Sequence, residues 1–370
     1  MKHLAFVALA ALGLTACTSS DRPSTSAEQR AKDHTAEAKD SLRYPQEVHL
    51  RNVRRLTFGG ENAEAYFSFD DKALIFQATN PDWGAECDQI FYFPLDSGDA
   101  RRYRPPMVST GYGRTTCAYF LPGDTLFLYA STHAADSACP PTPSRHGDRY
   151  VWPIYDSYDI YVAGLDGKIR RKLTDFPGYD AEATVSPRGD KIVFTSTRSG
   201  DLELWVMDID GSNPRQVTHE LGYDGGAFFS PDGEWLVFRA SRPRTPEEKE
   251  EYLSLLKQGL VAPTNMEIYI CRVDGSDLRQ VTHLGHANWA PFFHPSGEKI
   301  IFSSNHRSGG FQFNLFMIDT SGENLTQITF DSTFDAFPMF SYDGTKLVFG
   351  SNRFNGGGHS TNLFIADWVE

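Results

Sequence analysis

Six polar residues occupy matching places in a pattern that recurs along this chain: Asn62, Arg114, Asp180, Asp224, Asn288 and Asp335. Two positions further on, Glu64 and Glu182 add two carboxylates. Clustered carboxylate and amide oxygens suit Ca²⁺, which takes six or more oxygen ligands, and they also attract basic side chains. If the fold brings these residues together, they predict a mostly anionic site for a divalent cation or for a basic group of a peptide partner.

Three arginines offer a different role for the same carboxylates. Arg198, Arg242 and Arg353 recur at a later place in three of the repeats. Ion pairs between these arginines and the acids would be structural, and a perturbed acid indicates function only in a probabilistic sense. The residue types therefore leave two interpretations open, structural pairing and ligand binding.

Two histidines extend the hypothesis of a metal site. We expect His286 and His306 to lie in loops on the same side as Asp180, Asp224 and Asp335, and imidazole is a common ligand for Zn²⁺ and similar ions. The chain contains no HExxH motif. The sequence therefore identifies no cofactor, and Ca²⁺ or another divalent cation at this place is a hypothesis.

Four cysteines follow position 17. Cys87, Cys117 and Cys139 are candidates for one disulfide in an oxidising compartment, although the sequence does not choose which two of them pair. Cys271 lies within an apolar strand pattern and is expected to be a buried free thiol. The absence of a CxxC pair excludes the usual redox and zinc-ribbon motifs.

The elements that must position all these residues are repeats of about 45 residues. Val185–Ser196 reads VSPRGDKIVFTS. Six copies of this unit, two of them degenerate, begin at Phe67, Phe120, Val185, Phe229, Phe293 and Phe340. A second apolar run, a second turn and a short closing strand follow each copy. Four short strands with Pro, Asp and Gly at fixed turn positions are typical of one propeller blade.

The repeats predict an all-β fold, a six-bladed β-propeller of four-stranded antiparallel blades over residues 49–368. Leu50–Thr57 resembles the outermost strand of a blade, yet it precedes the first full repeat, and the last repeat ends at Asp367 without such a strand. The N-terminal strand is therefore expected to complete the sixth blade and remove an exposed sheet edge. The polar residues would then surround the mouth of the central channel, with positions two apart pointing the same way.

The stretch Ser186–Thr218, with Ser196-Thr197-Arg198 and the segment MDIDGSN at 207–213, resembles the propeller repeats of the TolB family. The resemblance covers about residues 49–368, and it implies an envelope propeller that contacts other envelope proteins. TolB proteins carry an α/β domain ahead of the propeller, which residues 18–48 are too short and polar to form, and they are not lipoproteins. Contact with TolA, a role of the missing domain, is therefore not implied.

The first residues of the chain are typical of a targeting segment. Lys2 and the apolar run Leu4–Leu14 predict a signal peptide, and LTAC at 14–17 resembles the bacterial lipoprotein signal. We expect removal of residues 1–16, lipidation of Cys17 and a flexible tether over residues 17–48, with an ordinary secretory signal as the alternative. Thr18, by resemblance to the lipoprotein sorting rule, indicates a lipid anchor in the outer membrane, facing the periplasm or the cell surface.

Two long insertions, at 133–152 and 243–265, separate the second and third strands of their blades. They should therefore lie on the face where the innermost strands begin. Thr245-Pro246-Glu247-Glu248 predicts the start of a helix that runs to about Gln258 and ends at Gly259. Its apolar side would pack either onto its own propeller or onto a partner.

These observations favour a monomeric, non-catalytic envelope binding or scaffold protein that engages a protein or peptide partner through the face with the insertions. The formal net charge of -13 argues against nucleic acid as a partner, and the chain has no Gly-x-Ser-x-Gly elbow. The alternative is a metal-dependent carbohydrate-active enzyme, since some polysaccharide lyases resemble this propeller and hold a metal through histidines at the channel. A third hypothesis is a purely structural spacer.

Overall fold

The apolar runs of the repeats form strands that are buried on both faces. Ile192–Phe194 and Leu236–Phe238 lie in the second strands of two blades, and all six residues are fully buried. Neighbouring blades pack against both sides of each sheet, which is why apolar residues follow one another instead of alternating with polar ones. The structure, a computed structural model, describes residues 41–356 and 358–370. The predicted signal peptide and Cys17 lie outside the described residues.

The first three blades are described from the innermost strand outward. Blade 1 contains Glu61–Phe67, Ala73–Asn80 and Ala85–Pro94, and its fourth place is taken by the segment around Met107, which bridges to Phe91. Blade 2 contains Thr115–Phe120, Leu126–Ser131, Asp159–Gly164 and Ile169–Lys172. Blade 3 contains Asp180–Val185, Lys191–Ser196, Glu203–Asp208 and Arg215–Gln216.

The other three blades repeat this antiparallel order. Blade 4 contains Asp224–Phe229, Trp235–Ala240, Glu267–Arg272 and Arg279–Gln280. Blade 5 contains Asn288–Phe293, Lys299–Ser304, Asn314–Asp319 and Thr326–Gln327. Blade 6 contains Asp335–Phe340, Lys346–Ser351, Asn362–Trp368 and, from the other end of the chain, Leu50–Arg55. The described chain is thus an all-β, six-bladed propeller, as predicted.

Ring closure follows from the pairing of the two chain ends. Leu50–Arg55 lies antiparallel to Asn362–Trp368, with Leu50 opposite Trp368 and Arg55 opposite Phe364. This pairing confirms the predicted closing strand and leaves no unpaired edge on the last long strand of the ring.

The N-terminal segment contacts the ring before the predicted boundary at residue 49. Glu47 accepts hydrogen bonds from both terminal nitrogens of Arg353, at 2.8 and 3.1 Å, and both side chains are fully buried. The Tyr44 hydroxyl donates to Asp331, and its ring stacks on Phe354. Residues 44–47 are therefore attached to blade 6, which differs from a flexible tether reaching to residue 48.

The two insertions lie on the face where the inner strands begin, which we call the loop-rich face. The first contains a small hairpin, Arg145–His146 with Arg149–Tyr150, and the short strand Trp152–Pro153. The second contains the helix Pro246–Lys257, with a capping box between Thr245 and Glu248, and the short strand Leu260–Val261. Trp152–Pro153 pairs with Leu260–Val261, so the two insertions join each other.

The insertion helix packs onto its own protein. Tyr252 and Leu255 are buried, and the Tyr252 hydroxyl donates to Asp201. Two 3-10 helices, Pro81–Trp83 and Leu95–Ser97, complete the elements. Within the described ranges, no helix combines the length and the apolar character needed to span a bilayer.

Candidate functional site

An irregularity in every inner strand creates the walls of a central cavity. The register of each inner strand shifts by one residue at the same place, and the residue at the shift has a left-handed backbone with φ between 46° and 60°. These six residues are Glu64, Cys117, Glu182, Gly226, Ala290 and Phe337. Such a β-bulge changes the direction in which the side chain points. Each of the six residues lines the same cavity, through its side chain or its backbone.

This cavity has a volume of about 580 Å³ and lies at the loop-rich face. Aromatic rings of Tyr66, Tyr119 and Phe228, from blades 1, 2 and 4, pack with centroids 5.4 to 6.3 Å apart. Side chains from such separated blades can meet only near the ring axis. Tyr66 and Phe228 also line the cavity, and together with Tyr119 these packed rings close the ring axis beneath it as its floor, so the cavity is a blind pocket.

A chain of aromatic rings forms one wall and the roof of the pocket. Trp152 of the first insertion packs on Trp289 with centroids 5.0 Å apart, and Trp289 stacks on Phe313 at 4.3 Å. The Trp289 indole donates to the Pro263 carbonyl of the second insertion at 2.8 Å. Phe311, at the rim, is 72% exposed. Both insertions thus help to shape a pocket of the size and apolar character usual for ligand sites.

Glu182 is the centre of a polar cluster in the pocket. It forms an ion pair with Arg239, and it accepts hydrogen bonds from the Tyr223 hydroxyl at 2.6 Å and from Thr195 at 2.7 Å. Burial alone would raise the pKa of Glu182, but Arg239 and these donors outweigh it and lower the pKa. Gly226 makes the cluster possible, because a methyl group at that residue would overlap the Arg239 guanidinium.

Glu64 has a different environment from Glu182. Its Oε2 accepts a hydrogen bond from the Cys117 thiol at 2.9 Å, and no ion pair with it is found among the described residues. Burial raises the pKa of Glu64 to about 7, and the nearby charge of Glu182 adds to the shift. Burial also raises the pKa of Cys117, so the thiol stays protonated and acts as a donor. A carboxylate without an ion-pair partner therefore faces the pocket.

At the rim of the pocket, Arg114 forms an ion pair with Asp88. A disulfide joins Cys87 to Cys139 of the first insertion, and a guanidinium nitrogen of Arg114 lies 3.8 Å from the Cys139 sulfur. Cys117 is a free thiol in this structure. Cys271 is free and buried, as the sequence predicted.

The three aspartates of the predicted collar point away from the pocket. Asp180 accepts a hydrogen bond from Arg198 at 2.7 Å, Asp335 accepts one from Arg353 at 2.8 Å, and Asp224 forms an ion pair with Arg242. The three aspartates are fully buried, and the three pairs lie in three different blades. These carboxylates therefore have the structural pairing that the sequence left open.

The other predicted collar residues also serve the junctions between blades. Asn62 donates to the carbonyl of Thr361 in blade 6 at 2.9 Å, and Asn288 donates to the carbonyl of Met266, which leads into the third strand of blade 4, at 2.8 Å. Arg114 lies one residue before its strand, so that Thr115 is the true counterpart of Asp180. The bulge explains these placements, because it breaks the period-two alternation on which the expectation of one shared face rested.

The histidines do not complete a metal site with these acids. His286 lines the pocket, whereas His306 packs on Phe316 and hydrogen-bonds to Ser304 at 2.9 Å. Over residues 41–356 and 358–370, no group of three His, Cys, Asp or Glu side chains is arranged to hold a metal ion. The donor set predicted from Asp180, Asp224, Asp335, His286 and His306 is therefore not assembled.

Sequence reasoning missed the aromatic floor and wall. The floor residues Tyr66, Tyr119 and Phe228 occupy equivalent positions in their inner strands, and extending the repeat alignment by a few residues would have found them. Trp152 and Phe311 carry no such signal, because they lie in the first insertion and in a loop of blade 5, whose positions depend on contacts between segments distant in sequence.

Comparisons with known proteins agree with this architecture. A sequence model of the TolB beta propeller domain matches residues 132–247. No curated protein sequence matches the chain. A putative TolB from Agrobacterium tumefaciens is 21% identical, covers 84% of this chain and 91% of its own, and superimposes with a TM-score of 0.55.

Two other solved structures are similar. TolB from Acinetobacter baumannii is 18% identical, with coverage of 85% of this chain and 64% of its own and a TM-score of 0.53. An oligogalacturonate lyase from Vibrio parahaemolyticus is 13% identical, with coverage of 87% and 94% and a TM-score of 0.51. At these identities the likenesses concern the fold, which different functions share. The chain is a TolB-like six-bladed β-propeller.

Proposed function

We propose that this chain is a non-catalytic binding protein of the cell envelope that engages a protein or peptide partner in the pocket of its loop-rich face. The observation that carries the proposal is the blind, aromatic-walled cavity of about 580 Å³, framed by two insertions that pair with each other. Rigid aromatic surfaces around a few fixed polar groups are typical of recognition sites.

The polar groups of the pocket support binding more than catalysis. Glu182 and Arg239 are held in an ion pair, and the Cys117 thiol has its pKa raised by burial, which opposes formation of the thiolate nucleophile. The Glu64 carboxyl accepts the hydrogen bond of this thiol, and the raised pKa of Cys117 keeps the proton on the sulfur.

The location is part of the same proposal. A lipid at Cys17 would hold the propeller at the outer membrane, and the chain between Cys17 and Tyr44 would act as the tether. The attachment of Tyr44 and Glu47 to blade 6 supports this arrangement, because it fixes where the tether meets the ring. Substitution of Cys17 by serine should abolish labelling by a radioactive fatty acid and release the protein from membranes.

The test of the binding role uses a variant that fills the pocket. Ala290 lines the cavity and shares its backbone conformation with Phe337 of blade 6, so Ala290→Phe places a side chain that this conformation already accepts elsewhere in the ring. Crosslinked envelopes should yield a stoichiometric protein partner with the wild-type chain and none with Ala290→Phe. Equal recovery from both proteins, or no partner with either, would refute the proposal.

The alternative of a metal-dependent lyase receives support from the fold alone. The acids and histidines proposed as its ligands are separated or paired with arginines. Incubation of the purified chain with oligogalacturonate and Mn²⁺ should give no unsaturated product, and turnover that depends on His286 would favour the lyase instead.

A further inference from the structure

Glu64 differs from the buried acids of the inner strands. Asp180, Glu182, Asp224 and Asp335 each pair with an arginine. Glu64 has only the Cys117 thiol as a hydrogen-bond donor among the described residues. Glu64 is half-buried, and a carboxylate partly removed from water without an opposite charge is destabilised, which a bound cation would offset.

The charges around the pocket leave an excess of one negative group. Glu64, Glu182 and Asp88 line it together with Arg114 and Arg239. Both arginines are engaged, Arg114 by Asp88 and Arg239 by Glu182. Glu64 is therefore the carboxylate of the cavity that is left for a cationic ligand.

The surroundings of Glu64 also suit a cation that carries an apolar stem. Tyr66 and Phe228 form the floor beside it, and Tyr158 and Tyr179 line the same cavity. Aromatic faces attract ammonium and guanidinium groups electrostatically, most strongly where water is excluded. Apolar walls next to a single carboxylate thus favour a cationic group on a hydrocarbon chain over a free metal ion, which would need several oxygen ligands.

We propose that Glu64 is the counter-charge for a guanidinium or ammonium group of a peptide bound in the pocket. The inference rests on the proposed function for the peptide, but the cation site itself can be measured separately. The group enters from the loop-rich face, passes Phe311 and Trp152, and ends between the Glu64 carboxylate and the aromatic floor.

The first experiment compares two small probes of nearly equal shape, benzamidine, which is a cation, and benzamide, which is neutral. Calorimetry at pH 8 and tryptophan fluorescence, to which Trp152 and Trp289 of the pocket contribute, report binding. The full-length chain should bind benzamidine roughly 10- to 100-fold more tightly than benzamide, the factor expected for a hydrogen bond to a charged group. Glu64→Gln, which keeps the shape and the acceptor, should abolish this preference.

A matched variant removes the same charge elsewhere. Glu298 is exposed in a turn on the opposite face, so Glu298→Gln should retain the wild-type preference. Equal binding of benzamidine and benzamide by the wild-type chain, or an unchanged preference in Glu64→Gln, would overturn the proposal.

The pH dependence provides a second readout. Protonated Glu64 cannot pair with a cation, so benzamidine binding should weaken as the pH falls through about 7. The affinity at pH 5.5 should be roughly 7- to 25-fold below that at pH 8, because the protonated form keeps the weaker binding expected without the charge. The other charged or titratable groups near Glu64 are Cys117, Glu182, Arg239, Asp88, Tyr66, Arg114 and His286. The pH step should persist in His286→Gln and vanish in Glu64→Gln, and the reverse pattern would assign it to the histidine.

The outcome for the cation site is distinguishable from the outcome for the partner. Loss of partner capture with an intact benzamidine preference would refute the binding role and keep the cation site. Capture of a partner with no preference between the two probes would keep the role and refute the assignment of Glu64. A peptide pair, acetyl-Phe-Arg-Phe-amide and its citrulline counterpart, extends the comparison to the proposed class of ligand, and equal binding of the two would also refute it.

Discussion

Arg239 shows how single residues determine the shape of the pocket. Its guanidinium lies over the ring of Trp152 at 5.3 Å and over Tyr223 at 5.1 Å, while it pairs with Glu182. One side chain therefore links the inner strands of blades 3 and 4 to the first insertion. Gly226 leaves the space for it, and the left-handed φ of 60° at that glycine is the conformation a bulge requires.

Removal of Arg239 should destabilise the protein strongly. In Arg239→Met the Glu182 carboxylate would remain buried without its ion pair, which typically costs about 3–5 kcal/mol. The midpoint of urea unfolding should fall accordingly. The double variant Glu182→Gln with Arg239→Met should regain most of the loss, because the amide is neutral. Its single oxygen can still accept from Thr195 and the Gly226 N–H, while its nitrogen can donate to the Tyr223 hydroxyl. A double variant as unstable as the single one would contradict the role assigned to the pair.

At the residue scale, the repeat pattern was sufficient to locate the inner strands but not to orient their side chains. Asp180 and Glu182 both lie where the alignment places them, yet one faces a blade junction and the other faces the pocket. The bulge between them depends on a left-handed residue, and the residues that adopt it range from Gly226 to Phe337. Because no single residue type occurs at that position, the sequence does not predict this change in side-chain direction.

At the scale of elements, the closing strand Leu50–Arg55 holds the ring together. Val53 is buried in a cluster with Phe364, Trp368 and the strands of blade 5, whereas the neighbouring Arg54 is exposed. The strand thus contributes a core side chain as well as backbone hydrogen bonds to the last strand of the chain.

A charge placed at Val53 should open this closure. Val53→Asp would bury an unpaired carboxylate, so we expect the free energy of unfolding to fall by more than about 3 kcal/mol. Arg54→Gln serves as the matched control and should change stability by less than about 0.5 kcal/mol, as is usual for exposed sites. Thermal unfolding followed by circular dichroism measures both, and similar midpoints for the two variants would show that the strand does not close the ring.

In the insertions, local sequence patterns predict the helix but not the contacts between the two segments. The helix Pro246–Lys257 was predictable because a capping threonine, a first-turn proline and acidic residues lie next to one another. The pairing of Trp152–Pro153 with Leu260–Val261 was not, because two residues on each side carry no periodicity and the partners are more than one blade apart. The roof of the pocket, which depends on this pairing, could therefore not be predicted from the sequence.

At the scale of the whole molecule, the closed ring makes the two faces different. The tight Ser-Pro-Asp-Gly turns occupy one face, and the insertions, the pocket and the rim disulfide occupy the other. Because residues from all six blades line the pocket, its shape depends on the entire ring and not on one loop. A partner that binds in this pocket should contact the loop-rich face and leave the opposite face, which carries the tight turns, free.

Site-specific photocrosslinking tests this most directly. A benzophenone amino acid is placed at Phe311, which is 72% exposed at the pocket rim, or at Leu325, which is 38% exposed in a turn of the opposite face. Irradiation of intact cells should give one discrete adduct, of a mass different from a dimer of this chain, from position 311 and none from position 325. Adducts from position 325, or no adduct from position 311, would contradict a partner-binding role for the loop-rich face.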